Sequence, residues 1–453
     1  MKKSSLVRFF PGIVVLLLGI PIVSAIAGFV FPLGKNSLVS VNSAGVQGNG
    51  DSWNSDISAD GRFVAFASAA NNLVDGDVNQ ETDVFRRDTK TGQNVLISVD
   101  SSGRLGNGSS NFPAISADGR FVAFASIADN LVESDTNNEI DVFLHDTKTG
   151  KTSLISKSTG GIIGDADSFY PAISADGRYV AFSSNTRNLI LNDDNESTDI
   201  FLHDIFTGQT TCVSVDSDGI LANELSDRAT ISANGRYVAF MSLADNLATF
   251  DFNQMADVFL HDAKTGTTTM ITQGNSHSGL PSISGDGRYV AFASNATDLA
   301  PGEANGYTAD VFVYDAQIGR TDRITSAIFE SMYPKISANG RYVAYHCPIA
   351  NLVTCDPDTC RNTVALYDRQ TGDTTLISAK ARTEWGNGDS WLPSISADGQ
   401  RLAYFSMATN LVSKDYNGFA DVFLHELPTD EADQQASPGD GSGGGGCFIR
   451  AIL

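Results

Sequence analysis

Histidine, cysteine and tryptophan are scarce in this chain of 453 residues, at six, five and three. Basic residues are also short, with 30 Lys and Arg against 53 Asp and Glu and a net charge of −23. A polyanionic backbone needs a basic patch, so nucleic acid is excluded as a partner. No Gly-x-Ser-x-Gly elbow is present, which removes the usual nucleophile of an α/β-hydrolase. Four of the six histidines (His145, His203, His261 and His425) occupy one slot of a repeated unit, which Arg87, Tyr314 and Tyr367 fill in other copies. A slot that accepts His, Arg or Tyr reads as structural, so no catalytic residue is expected. Hexapeptide and nonapeptide periods are missing, which argues against an open β-solenoid.

The N-terminus carries Lys2, Lys3 and Arg8, then an apolar run over 9–23, then Ala25-Ile26-Ala27. That order reads as a signal peptide over 1–27, and so as an exported protein, periplasmic, cell-surface or extracellular. An uncleaved anchor reaching Phe31 is the competing reading; beyond these two, no membrane contact is expected. An odd cysteine count in an exported chain leaves a thiol over. Cys355 and Cys360 are near enough to pair, with Cys347 a rival partner, and Cys212 reads as a small buried hydrophobe. Residues 428–446 are polar and rich in Gly and Ser, the composition of a flexible linker.

The dominant feature is a repeat. Ile57-Ser-Ala-Asp-Gly-Arg-Phe-Val-Ala-Phe66 recurs from Ile115, Ile173, Ile231, Ile283 and Ile336, with a looser copy from Ile395. Every copy has Asp-Gly or Asn-Gly, from Asp60-Gly61 to Asp398-Gly399, and these dipeptides supply the positive φ of a two-residue hairpin. A second turn, Asp-x-x-Thr-Gly, runs from Asp88 to Gly92 and recurs in most copies. Two hairpins per unit give four strands per unit. The first copy predicts a strand ending at Ser58, then strands over 63–68, 83–87 and 94–99. Four-stranded units repeated radially make a β-propeller. The expectation is an all-β, seven-bladed propeller of antiparallel blades over 36–427. The last copy lacks a fourth strand after 421–426. Ser37-Leu-Val-Ser-Val41 resembles Val95-Leu-Ile-Ser-Val99, so residues 37–41 are expected to complete that blade and close the ring.

The unit at 171–182, Pro-x-Ile-Ser-x-Asp-Gly-Arg-Tyr-Val-Ala-Phe, resembles the TolB-type, WD-like propeller repeat of bacterial exported proteins. The resemblance implies the fold. Its members include protein-binding scaffolds, propeller portions of peptidases and some polysaccharide-active enzymes. TolB-type propellers proper usually have six blades and a further domain in front, which seven copies do not match. The segment 447–453, beginning Cys447-Phe448-Ile449, resembles the start of a CFI-box tail but stops short of the full box.

Two features are candidates for binding. The loop before each third strand is acidic: Asp77/Asn79/Asp83, Asp135/Asn137/Asp141, Asp193/Asn195/Asp199, Asp251/Asn253/Asp257 and Asp415/Asn417/Asp421. Oxygen donors at alternate positions with a later carboxylate suit calcium, and the same residues also serve as turn caps. Two copies deviate, one with Glu303, Asn305 and Asp310, the other with Asp356, Asp358 and Asn362. Trp53 and Trp391 sit in near-identical Gly-Asn-Gly-Asp-Ser-Trp segments, and Trp385 adds a third indole. Clustered indoles can stack on sugar or anchor a protein, or pack between blades. The expected function is a secreted or envelope binding scaffold for a protein or glycan, not an enzyme. It requires no cofactor, and calcium is the candidate ion. The alternatives are a polysaccharide lyase on the same propeller and a purely structural surface protein.

Overall fold

The computed structural model describes residues 29–30 and 34–428, apart from 134, 302–305, 307, 327, 354, 356–359 and 382–383. The expected signal peptide, linker and tail with Cys447 lie outside the described residues, as do Glu303, Asn305, Asp356 and Asp358. Seven antiparallel blades follow in chain order, each with a first strand innermost. Blade one contains Ser52–Ile57, Phe63–Ser68, Asp83–Asp88 and Gln93–Leu96. Blades two to five repeat it, with first strands Ser110–Ile115, Ser168–Ile173, Ser226–Ile231 and Ser278–Ile283. Blade six starts at Met332–Ile336 and blade seven at Ser390–Ile395. Among the described residues the only helical turn is a short 3-10 segment at Ile349–Asn351, and no helix is long and apolar enough to cross a membrane.

In six of the seven blades the second and third strands each carry an aromatic ring that stacks with its neighbour, while in blade six Tyr345 lies opposite Ala365. Phe66 lies 5.8 Å from Phe85 and Phe124 5.8 Å from Phe143, and both pairs are fully buried. Each such ring contributes about 1.5–3 kcal/mol by leaving water. Because blades pack on both faces, the second strands are almost wholly buried, and the alternation of a half-exposed sheet is absent.

The N-terminal strand Lys35–Leu38 pairs with Asp421–Glu426, from Lys35 opposite Glu426 to Leu38 opposite Phe423. The closing strand therefore begins two residues earlier than the sequence comparison indicates. The chain leaves the sheet after Val39, because the Ser40 hydroxyl turns inward to Asp421 and the Val422 amide. A short strand the sequence did not predict, Phe29–Val30, adds in parallel to the edge of blade six.

The hairpins also link blade to blade. The Ala59 amide donates to the Ala117 carbonyl, Ala117 to Ala175, Ala175 to Ala233, Ala233 to Gly285 and Gly285 to Ala338. Ala397 then donates to Ala59 and closes the circle, with Asn339 to Ala397 the long link at 3.4 Å. Glycine is required here twice over: Gly119 has φ +71°, and a Cβ on it would stand 2.2 Å from the Phe63 ring.

Candidate functional site

Each first strand is interrupted by a bulge. The bulged residues are Asn54, Phe112, Tyr170, Arg228, Leu280, Tyr333 and Leu392, all non-glycine with φ between 47° and 58°. Five are followed by proline, which lacks the N–H a ladder would need. Strain of this kind persists only where surroundings impose it. These residues line a central channel of about 570 Å³.

Flanking residues recur around the ring, but the channel positions do not. Two residues after the bulge stand Asp56, Ala114, Ala172, Thr230, Ser282, Lys335 and Ser394. One carboxylate and one ammonium thus interrupt a ring of small side chains. Asp56 accepts a hydrogen bond from the Ile115 amide at 2.8 Å. Burial raises its pKa, opposed by that bond and by the charge of Lys335. Burial lowers the pKa of Lys335, opposed by Asp56 and reinforced by Arg228. Water still reaches the Lys335 side chain within the channel, although protein surrounds it. The Arg228 guanidinium lies over the Tyr170 ring at 3.9 Å, donates to the Tyr170 hydroxyl at 3.1 Å and stands 3.7 Å from Asp227. Phe112 meets Tyr170 edge-on at 4.6 Å.

The acidic loops take a common form. The Asn79 side-chain oxygen accepts from the Glu81 amide, and its NH2 donates to Asp83 and to the Gly106 carbonyl. Asn137, Asn195, Asn253 and Asn417 repeat the donation to Asp141, Asp199, Asp257 and Asp421. These backbone partners fix the amide orientation, so the asparagine oxygen faces a peptide N–H. The later carboxylate also accepts a hydroxyl, as Asp83 does from Ser98 at 2.5 Å. The asparagines and later aspartates are thus occupied as turn and strand caps. The first aspartates are only partly occupied: the backbone of Asn137 and Asn253 donates to Asp135 and Asp251, yet in Asp77, Asp135, Asp193 and Asp251 a carboxylate oxygen is buried without a hydrogen-bond partner.

The three tryptophans do not form an exposed cluster. Trp53 and Trp391 are half-buried in the first strands of blades one and seven, with Trp391 5.2 Å from Phe405. Trp385 packs on the core of blade six. The four histidines of the repeated slot are buried braces between blades. His145 bonds Thr152 at 2.9 Å, and the Thr152 hydroxyl donates to the Val99 carbonyl of the preceding blade. The hydroxyl hydrogen is thereby committed, so Nδ1 of His145 is the donor. His203 and His261 repeat the brace, and Asn36 of the closing strand takes the threonine's place for His425. Burial holds His203 and His425 down at about 4. Cys355 pairs with Cys360, and Cys347 is a buried thiol.

The fold and the repeat motif agree on a seven-bladed β-propeller. No family model and no curated protein matches the sequence. Among solved structures, the oligogalacturonate lyase from Vibrio parahaemolyticus is 11% identical, covering 89% of this chain and 98% of that one, with a TM-score of 0.51. The β-propeller domain of the Trilobed protease from Pyrococcus furiosus, which has an open velcro topology, is 12% identical over 86% of this chain and 98% of that one, with a TM-score of 0.52. TolB from Acinetobacter baumannii is 15% identical over 76% of this chain, which spans 66% of its length, with a TM-score of 0.41. At these identities the likeness is one of fold and carries no activity across.

Proposed function

We propose that the protein is a binding scaffold whose central channel receives the carboxylate-bearing end of a glycan. The observation that carries this reading is the asymmetric set of Asp56, Arg228 and Lys335 beside the Phe112, Tyr170 and Tyr333 rings, in a channel whose other lining is small or apolar. Aromatic faces suit the C–H face of a sugar ring, and a guanidinium and an ammonium suit its carboxylate. A cavity of about 570 Å³ falls in the size range of small-ligand sites. On a chain of net charge −23, the channel lining places two cations against the single carboxylate of Asp56.

The second reading, a polysaccharide lyase, draws on the same residues. An amine with a lowered pKa opposite a guanidinium could abstract a proton next to a carboxylate.

Calorimetric titration with acidic and neutral oligosaccharides tests the proposal. Lys335→Met should weaken binding of the acidic ligand by about tenfold or more, with little effect on neutral sugars. Binding that is indifferent to Lys335 and Arg228 would overturn it, and capture of an envelope protein by those two residues would make the ligand a protein. Ultraviolet absorbance of unsaturated sugar products would establish the lyase.

A further inference from the structure

The four copies of the acidic loop in blades one to four present a charge problem that the chain itself does not solve. Asp77, Asp135, Asp193 and Asp251 are all more than nine-tenths buried, at 6%, 7%, 9% and 8% exposed. An oxygen of each has no donor. Each senses a second, fully buried carboxylate: the repulsion acts between Asp77 and Asp83, Asp135 and Asp141, Asp193 and Asp199, and Asp251 and Asp257. The first aspartates lie shallower than the second, closed off by their own loop and not by depth. An unpaired buried carboxylate is costly, and two side by side more so.

The other three blades resolve the same problem within the chain, each differently. In blade five the Arg323 guanidinium is ion-paired with Asp310; among the described residues blades one to four have no such pair, and in blade three Arg187 acts on Asp193 only at a distance, its own ion pair being with Glu196. In blade six the second acid is gone. Thr363, not the neighbouring Asn362, stands in its register and bonds Ser378, as Asp83 bonds Ser98. In blade seven the Gln47 amide donates to Asp415 at 3.1 Å. Hydrophobic residues stand at the position of Gln47 in the hairpins after blades one, two and three: Leu105, Ile163 and Leu221.

We infer that blades one to four each bind a calcium ion between the two aspartates of the loop. The donors are all oxygen, which favours a hard cation over zinc or copper. Two carboxylates from side chains leave the remainder of the 6–8 ligands to backbone carbonyls and water in an irregular shell, which calcium accepts, whereas magnesium demands a near-ideal octahedron. Two charges per site and a surface loop suit the affinity of extracellular modules, about 10⁻⁴ to 10⁻³ M. The cation plays in these blades the part that Arg323 plays in blade five.

The test is calorimetric titration of calcium chloride into chelator-treated protein, with thermal melts in parallel. Millimolar calcium should raise the Tm, because it binds only the folded state, and magnesium should raise it much less. Asp77→Asn, Asp135→Asn, Asp193→Asn and Asp251→Asn should each remove one site from the stoichiometry. Each removes an unpaired buried charge, so each variant should fold and melt no lower than the wild type in chelator. That keeps loss of binding separate from loss of folding. A protein that shows neither calcium heat nor a Tm shift would overturn the inference. So would a stoichiometry that none of the four substitutions changes.

Discussion

Blades one to four and blade five share a backbone and differ in how they settle one buried carboxylate. In blade one Asp83 is held by Ser98 and Asn79 and faces Asp77, with no cation from the chain. In blade five Asp310 is held by Thr325 and paired with Arg323. The head of the third strand is fixed by the same hydroxyl contact in both. The hydroxyl contact there is therefore part of the strand's construction, kept even in blade six, where Thr363 stands in place of the carboxylate. What varies is the counter-charge, and a position that varies while its frame stays constant is where a repeat protein departs from its scaffold.

The comparison can be broken most severely from the side of blade five. Arg323→Met leaves Asp310 buried without its cation and should cost about 3 kcal/mol in denaturant melts. Asp310→Asn in the same chain should recover most of that loss. If Arg323→Met alone is neutral, the pair is not what compensates blade five.

A second contrast separates the same blades by pH. Blades two to four use His145, His203 and His261 as inter-blade braces, whereas blades five and six have Tyr314 and Tyr367 in that slot. The His203 imidazole is pushed down to about 4 by burial. The unfolded chain takes up its proton near 6.5, so the stability His203 contributes is complete above that pH and is lost as pH falls toward 4. Buried aspartates with raised pKa act in the opposite sense over part of this range, so the informative quantity is the difference between wild type and His203→Tyr. Wild type should lose on the order of 1 kcal/mol more than the variant between pH 7 and pH 5. Parallel stability curves would show that the brace does not titrate.

The smallest effect concerns blade seven. Gln47→Leu removes the donor to Asp415 and makes this loop resemble the first three. It should cost about 1 kcal/mol or less in chelator, and part of that cost should return with calcium. A variant whose melt is equally low with and without calcium would mean that the glutamine does not stand in for the ion.

Most of the architecture was legible in the sequence. The Asp-Gly pairs mark hairpins because the turn demands positive φ, and Gly61, Gly119 and Gly177 adopt it. The match between 37–41 and 95–99 placed the closing strand, displaced because Ser40 serves Asp421 and not the sheet ladder. The channel was not legible in the same way. Its bulges fall on residues such as Phe112, Arg228 and Leu280, which have no side-chain signature for positive φ. Asp56, Arg228 and Lys335 lie in different copies and meet only when the ring closes. Their signal was the column running Asp56, Ala114, Ala172, Thr230, Ser282, Lys335 and Ser394, which varies while the isoleucine after it does not. For the acidic loops the spacing was visible, but the division between later aspartates with both oxygens bonded and first aspartates with an oxygen left over requires the hydrogen bonds.

The account's central claim is that an external cation does in blades one to four what Arg323 does in blade five. Anomalous diffraction from crystals grown with calcium and then exchanged into terbium tests it most directly. The account predicts a peak beside each of Asp77, Asp135, Asp193 and Asp251, and none beside Asp310 or Thr363. Density without such peaks, or peaks shared equally by blades five and six, would contradict it.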